Sequence, residues 1–548
     1  MTRQRRLFAG VRRPQRRRTD HLADRSAAMA KRHRAIMGLG ALGILGLLLV
    51  PFMPRPVTAT ARPSAPDVAT IDAFVRDQVQ RHGIPGVALA LVEGDRILHL
   101  QGFGKADQTG RAITAQTPFD LASVSKPVTA LAVMQLVEVG AVALDAPVQR
   151  YVPAFRLADP VASAQITVRH LLQHTSGIPV TSCDTRVGAV TLEQYVAELQ
   201  TVKLAHPPGT HYDYCSGNYN VLGRIIETVS GRAYGDYMQQ QVFVPLQMHH
   251  TFTSLEAARQ DGLAQEYQWL FGLAVPAPSH YTPSQLPSGY VMSSAEDMAH
   301  FLIAQLNGGR FGASRVLSAE GIAAMHAPGV ATGDGTETYG LGWMTGGSIG
   351  GVPVIQHDGG HANARTFLFL EPATRRGAVL LINSFGLLPD VTAFAAMKAG
   401  VAQLLAGQAA APASSLSLPT LYLIVDAVLA ALLALALWPL LCLRPWERRL
   451  RQDHAVGHPR RLRVGLRVGW EVGVPLILLM GVRLALNIAG AQSWYEGLIT
   501  FPDFITWLWA ISLLVLLTGV LHGVLAFRTW RAPHGEGIDA RPGLSTQA

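Results

Sequence analysis

The stretch Leu121 to Lys126, "LASVSK", holds two serines and a lysine. A serine hydroxyl attacks a carbonyl well only when a neighbouring base takes its proton, and the lysine is the base within reach. Pro127 to Leu136 reads as a helix with a proline tolerated in its first turn. If that helix starts near Ser123, then Ser123 and Lys126 are spaced i,i+3 on one face, and Ser125 points elsewhere. Ser123 would also sit at a helix N-terminus, where free N–H groups and the macrodipole favour a developing oxyanion. The spacing alone decides little. About one or two Ser-x-x-Lys pairs arise by chance in a chain this long, and a helix cap beside a solvated lysine would look the same.

Four further patterns bear on it. "LLQHTSGIP" (Leu171 to Pro179) reads as a helix ending in a glycine turn, and "PGTHYDYCSGNYNVLG" (Pro208 to Gly223) leads into a helix with Tyr214 on the loop before it. "PSGYVMSSAEDMAHFL" (Pro287 to Leu302) reads as a turn followed by a helix, while "YGLGW" (Tyr339 to Trp343) and "HDGG" (His357 to Gly360) read as strands. Taken singly each has a structural explanation: Tyr214 as packing, His357 as a polar strand end, His174 as a hydrogen bonder that sets a turn.

The elements that must position these residues lie between basic, apolar ends. The formal net charge of +9 is unevenly placed: between Arg62 and Leu418 there are 27 acids against 21 Lys and Arg. Arginines crowd residues 1–35 and 444–467 instead, flanking apolar runs as the positive-inside rule expects. A nucleic-acid binder would carry its basic surface on the folded domain, so no nucleic-acid partner is expected. The runs are Ile36 to Met53, Leu421 to Leu443, Val468 to Ala489 and Phe504 to Phe527; the last three are long enough to cross a bilayer. With the arginines inside, the N-terminus is cytoplasmic and the middle region is exported. Ala59-Thr60-Ala61 resembles a signal-peptidase site, so 36–61 is a signal peptide or a signal anchor. A linker, 407–420, then leads to three membrane helices within 421–527 and a cytoplasmic tail, 528–548. Asp426 and Arg483 would lie at similar depth near the outer side and are expected to pair. Of three cysteines, Cys442 falls in a predicted span; Cys183 and Cys215 would lie outside the membrane, as a disulfide or as two buried thiols.

Within 67–406, "DVATIDAFVRDQV" (Asp67 to Val79) has helical spacing, and Val87 to Val92 and Ile97 to Phe103 read as strands around Glu93-Gly94-Asp95. A helical middle includes Tyr219 to Val229, ended by Gly231. Short strands follow at Val352 to Gln356, Thr366 to Phe369 and Ala378 to Ile382, then a helix, Val391 to Leu405. Strands at both ends with helices between imply an antiparallel sheet completed by distant segments, an α+β class.

In this order and spacing the motifs resemble the class C β-lactamase and DD-peptidase superfamily of serine hydrolases, over roughly Asp67 to Ala406. The resemblance implies an antiparallel sheet flanked by helices with a helical subdomain, and an acyl-enzyme mechanism without metal or cofactor. Its Ser-x-x-Lys falls on Ser123 and Lys126, its Tyr-x-Asn on Tyr214-Cys215-Ser216, and its Lys/His-x-Gly on His357-Asp358-Gly359. It implies that Ser123 is the nucleophile, that Lys126 or Tyr214 is the base, and that the N–H groups of Ser123 and Gly360 form the oxyanion hole. Ser216 stands where Asn is usual, and Asn363 stands in "HDGGHANARTF" where glycine is usual.

With the membrane helices, these departures resemble the membrane-bound prodrug-activating D-asparaginyl peptidases of the colibactin-maturing type. That likeness implies removal of an N-acyl-D-asparagine cap from a small exported peptide at a bacterial inner membrane. Ser216, Asn363 and His280 would hold the D-Asn side chain, and Asp120 would stand at the acid before the nucleophile. Rival readings are a DD-peptidase, β-lactamase or esterase on the same fold, or an acylated membrane sensor. Such a sensor would carry a zinc-protease His-Glu-x-x-His, which is not in this sequence.

Overall fold

The helix α1 (Val68–His82) starts where the Asp67 carboxylate accepts the N–H groups of Ala69 and Thr70 and stops where Gly83 turns left-handed at φ 66°. It is the first element of the computed structural model, which describes residues 66–182, 191–279, 281–333, 335–361, 363–412, 416–455, 461–488 and 502–531. The main sheet has eight strands: β1 (Gly86–Glu93), β2 (Arg96–Gly104), β3 (Val330–Ala331), β4 (Thr338–Tyr339), β5 (Met344–Ile349), β6 (Val352–Gly360), β7 (Arg365–Glu371) and β8 (Arg376–Ile382). Their spatial order is β2-β1-β8-β7-β6-β5-β4-β3, and every pairing is antiparallel. N-terminal strands thus join C-terminal ones directly, as the sequence predicted.

Alternation along β1 divides the interior in two. Val87, Leu89 and Leu91 pack with α1 and with α5 (Ala395–Leu405) on one face. Ala88, Ala90 and Val92 face the helical layer on the other, which includes α2 (Ser125–Glu138), α3 (Ser216–Ser230) and α4 (Ala295–Leu306). Each fully buried Val or Leu contributes about 1.5–3 kcal/mol, so a one-residue register slip would exchange the two cores.

Two local expectations need correction. "YGLGW" is not one strand: β4 ends at Tyr339 and β5 begins at Met344. Between them Gly342 has φ 88°, and a Cβ there would lie 2.6 Å from Ala130 of α2. Close approach to the helix, rather than β pairing, shapes this segment. The helix before His174 is only Val168–Leu172, because His174 itself takes φ 56°.

The described residues divide into two compact units. One comprises residues up to Asp426 together with those of Ile477–Trp509, the other those of Ala427–Leu476 and Ala510–Ala548. Three helices, Leu418–Leu441, Arg461–Leu484 and Pro502–Arg531, are long and apolar enough to cross a membrane; the first apolar run lies outside the described residues. Within the first unit Asp426 accepts the Trp507 indole N–H at 3.3 Å. Within the second, Glu471 binds both Arg467 (2.8 Å) and His522 (2.6 Å).

Candidate active site

Ser123 lies in a tight turn, Ala122–Val124, that runs directly into α2. Ala122 takes φ 46°, an uncommon conformation for a residue with a Cβ. The Asp120 carboxylate accepts the Ala122 N–H at 2.7 Å and braces it. Asp120 is fixed by a short pairing of Phe119–Asp120 with Met292–Ser293. Ser125 is buried and its Oγ accepts the N–H of Val291 at 3.1 Å, so it ties α2 to that pairing, as expected of the second serine. Ser123 keeps partial exposure among buried neighbours.

Lys126 is fully buried and its Nζ sits 3.0 Å from Ser123 Oγ, 3.3 Å from Ser216 Oγ and 2.9 Å from the Ser288 carbonyl. It also lies 4.8 Å from the ring centroid of Tyr214. From this place it can take a proton from Ser123. Ser216 opens α3, so the residue replacing the usual Asn lies against the lysine. His174 supports the loop: its Nδ1 accepts the Cys215 N–H at 3.1 Å, and its ring lies 4.3 Å from that of Tyr214. Burial and the Lys126 charge hold His174 neutral, well below its ordinary range. Cys215 is disulfide-bonded, Cys442 is free, and Cys183 lies outside the described residues.

Strand β6 closes the other side. A Cβ on Gly359 would lie 2.3 Å from the Leu121 carbonyl and 3.1 Å from Ser123 N, so only glycine allows this approach. Beyond Gln356, β6 has no pairing with β5, which leaves the edge of 357–360 open beside Ser123. His357 is buried, and its Nδ1 donates to the Asp358 carbonyl at 2.9 Å, so Nε2 accepts from the Tyr339 hydroxyl at 3.0 Å. Burial, then Lys126, push His357 down to about 3, so it adds no charge beside the lysine.

Ser216, Asp120, Asn363 and His280 are the residues that the sequence suggests for specificity. Asp120 spends its second oxygen on His361 Nδ1 at 3.1 Å. Asn363 is 2% exposed; its Nδ2 donates to the Pro278 carbonyl at 3.1 Å, while its Oδ1 has no hydrogen-bond partner among the described residues. His280 lies outside the described residues. Sequence reasoning missed Glu266, which is buried beside Asp120 and interacts with the side chains of Ser279 and Asn363; burial, then Asp120, raise it to about 8. No motif marks it. A cleft of about 400 Å³ lined by Asp107, Arg259, Gln265, Pro278 and Ser279 contains none of the residues around Ser123; side-chain geometry, not cavity size, locates the chemistry.

The β-lactamase family model matches residues 71–401. The chain is 34% identical to penicillin-binding protein 4 of Amycolatopsis lactamdurans over 312 residues, 55% of this chain and 81% of that protein. It is 28% identical to protein flp of Staphylococcus aureus over 321 residues, 57% of this chain and 62% of that one. Among solved structures it resembles an octameric penicillin-binding protein homologue from Pyrococcus abyssi (TM-score 0.55, 26% identity, 63% of this chain and 78% of that). It shares its fold with EstCE1, a hydrolase with promiscuous acyltransferase activity (TM-score 0.54, 22% identity, 62% of this chain and 98% of that). With a serine and a buried lysine 3.0 Å apart under a glycine strand, the chain belongs to the β-lactamase family of serine hydrolases.

Proposed function

We propose that the chain is a membrane-anchored acyl-enzyme hydrolase with its catalytic domain on the outer face of a bacterial inner membrane. Ser123 Oγ attacks the substrate carbonyl while Lys126, in its neutral form, takes the proton. The N–H groups of Ser123 and Gly360 receive the oxyanion, each such donor supplying about 3–4 kcal/mol. The leaving amine collects its proton through Tyr214, and water then cleaves the Ser123 ester. The observation that carries this reading is Lys126 Nζ wedged between Ser123 Oγ and Ser216 Oγ. A fluorophosphonate probe should label the wild type and Ser125→Ala but not Ser123→Ala; labelling of Ser123→Ala overturns the assignment.

The substrate we propose is an N-acyl-D-asparaginyl amide, the cap of an exported small peptide. Ser216 at the lysine and the Asn363 Oδ1, which has no hydrogen-bond partner among the described residues, support it; Asp120 and His280 are the other residues we assign to it. A second reading, a cell-wall DD-peptidase or an esterase, is favoured by the identity to a penicillin-binding protein and by the use of the Asn363 amide on Pro278. Membranes holding the full chain should cleave acyl-D-Asn amides and reject acyl-L-Asn. A site built for a polar group can discriminate by about 10⁴-fold. Preference for acyl-D-Ala-D-Ala, or penicillin labelling without D-Asn turnover, would establish the second reading.

A further inference from the structure

The guanidinium of Arg365, at the start of β7, is held on three sides. Its Nε lies 2.6 Å from Asp390 Oδ1, an ion pair not aligned as a hydrogen bond, its Nη2 3.5 Å from Asp358 Oδ2, and its central carbon 4.6 Å from the centroid of the Phe367 ring. Asp358 is itself gripped through both oxygens by Lys398, at 2.7 and 2.8 Å. The remaining edge points one way: Nη1 donates to the Gly359 carbonyl at 3.2 Å. That carbonyl belongs to the same peptide unit as the Gly360 N–H. In a planar trans peptide the two groups point in opposite directions. With the carbonyl turned to Arg365, the N–H turns toward the β6 edge that β5 leaves uncovered, on the strand whose Gly359 approaches Ser123 N. A Cβ on Gly360 would stand 3.2 Å from Arg365 Nη1, so glycine also keeps this contact open.

We infer that Arg365 is a positioning residue that orients and polarises the Gly359–Gly360 peptide, making the Gly360 N–H a stronger donor to the oxyanion. This rests on the acyl-enzyme reading above. A charged donor on the carbonyl draws electron density from the amide, and hydrogen bonds in series strengthen one another. Because the oxyanion develops only in the transition state, the effect falls on the chemical steps and not on substrate binding.

The test uses the full chain in nanodiscs and an arylacryloyl p-nitrophenyl ester, whose acyl-enzyme carbonyl stretch is read by resonance Raman. In the wild type the ester carbonyl should absorb at lower frequency than in the free ester. In Arg365→Gln the band should move back toward the free ester and kcat should fall about tenfold, less than the loss from deleting a donor outright. KM should change by less than about threefold, since ground-state binding is untouched. Arg365→Lys keeps the charge without the planar fork and should fall between; it carries the test if the glutamine variant does not fold. If the wild type forms no acyl-enzyme or shows no lowered stretch, the acyl-enzyme reading fails. If the wild type behaves as expected but both variants keep its stretch and kcat, the role of Arg365 is overturned and the reading stands.

Discussion

Two lysines lie on opposite faces of strand β6, and they are buried in different company. Lys398, on the α5 side, puts its Nζ within 2.8 Å of both Asp358 oxygens and 2.7 Å from Gln356 Oε1. Lys126, on the helical side, is more deeply buried, yet the contacts described above are two hydroxyls, a carbonyl and an aromatic face. A carboxylate fixes an ammonium as a cation, because losing the proton would strand the partner's charge. Neutral oxygens favour the ammonium less and accept the free amine too. The neighbouring imidazoles, His174 and His357, are held neutral by burial and add no competing charge. Lys398 thus braces Asp358 against the sheet, and Lys126 has the surroundings that the proposed proton transfer from Ser123 calls for.

The largest effect should separate the two. Lys126→Met should lower acylation of Ser123 by about 10³-fold or more, as loss of a unit's base does, without changing thermal stability in proportion. Stopped-flow labelling with a chromogenic ester measures the rate; retention of wild-type acylation would remove Lys126 from the mechanism. Next comes Gly359→Ala, whose Cβ would lie 2.3 Å from the Leu121 carbonyl. Prying β6 from the nucleophile turn should cost about 1–3 kcal/mol in overpacking and about 10²-fold in rate, since one oxyanion donor is displaced. Denaturant melts and steady-state kinetics on the same preparation check both numbers.

Lys398→Met should do the reverse of Lys126→Met. Among the described residues Asp358 would keep Arg365 at 3.5 Å, and stability should drop by roughly 2 kcal/mol, with a few-fold loss of kcat. Adding Asp358→Asn should restore part of that stability, because the stranded charge is gone. A double variant no more stable than Lys398→Met would mean that the pair is not coupled.

Much of the helical-face arrangement was legible in the sequence because its parts are neighbours in the chain. Ser123 and Lys126 lie three residues apart, Tyr214 and Ser216 lie two apart, and the glycines of "HDGG" announce a close approach. What hid was whatever needs distant segments. The bond from Lys126 to Ser288 spans 162 residues, and the support that Arg376 gives Glu93 spans 283. No motif marks Arg365 or Asp390, because nothing local says that a guanidinium will meet a strand carbonyl. The α+β class was readable from the order of apolar runs, whereas "YGLGW" misled because glycine approach to α2 leaves the same apolar pattern as a strand.

The last effect shows only as pH changes, and it concerns a buried acid with the wrong kind of neighbour. Glu266 faces Asp120, with Arg259 near and His361 on the far oxygen of Asp120. Burial and the like charge raise it from an ordinary 4.5 to about 8. Below 4.5 both the folded and the unfolded chain hold this proton, so it contributes nothing to pH dependence. Between 4.5 and 8 the unfolded chain has released it and the folded chain has not, so stability falls as pH rises through that window and levels off above it. Glu266→Gln keeps the shape and removes the titration. Its melting temperature should therefore gain on the wild type as pH rises from 5 to 8.5, by several degrees, with about 2–4 °C for each kcal/mol. Differential scanning calorimetry across that range reads the difference directly. A constant offset between the two proteins would mean that Glu266 ionises normally in the fold, and that the carboxylate beside the nucleophile turn is as well partnered as the one Lys398 holds.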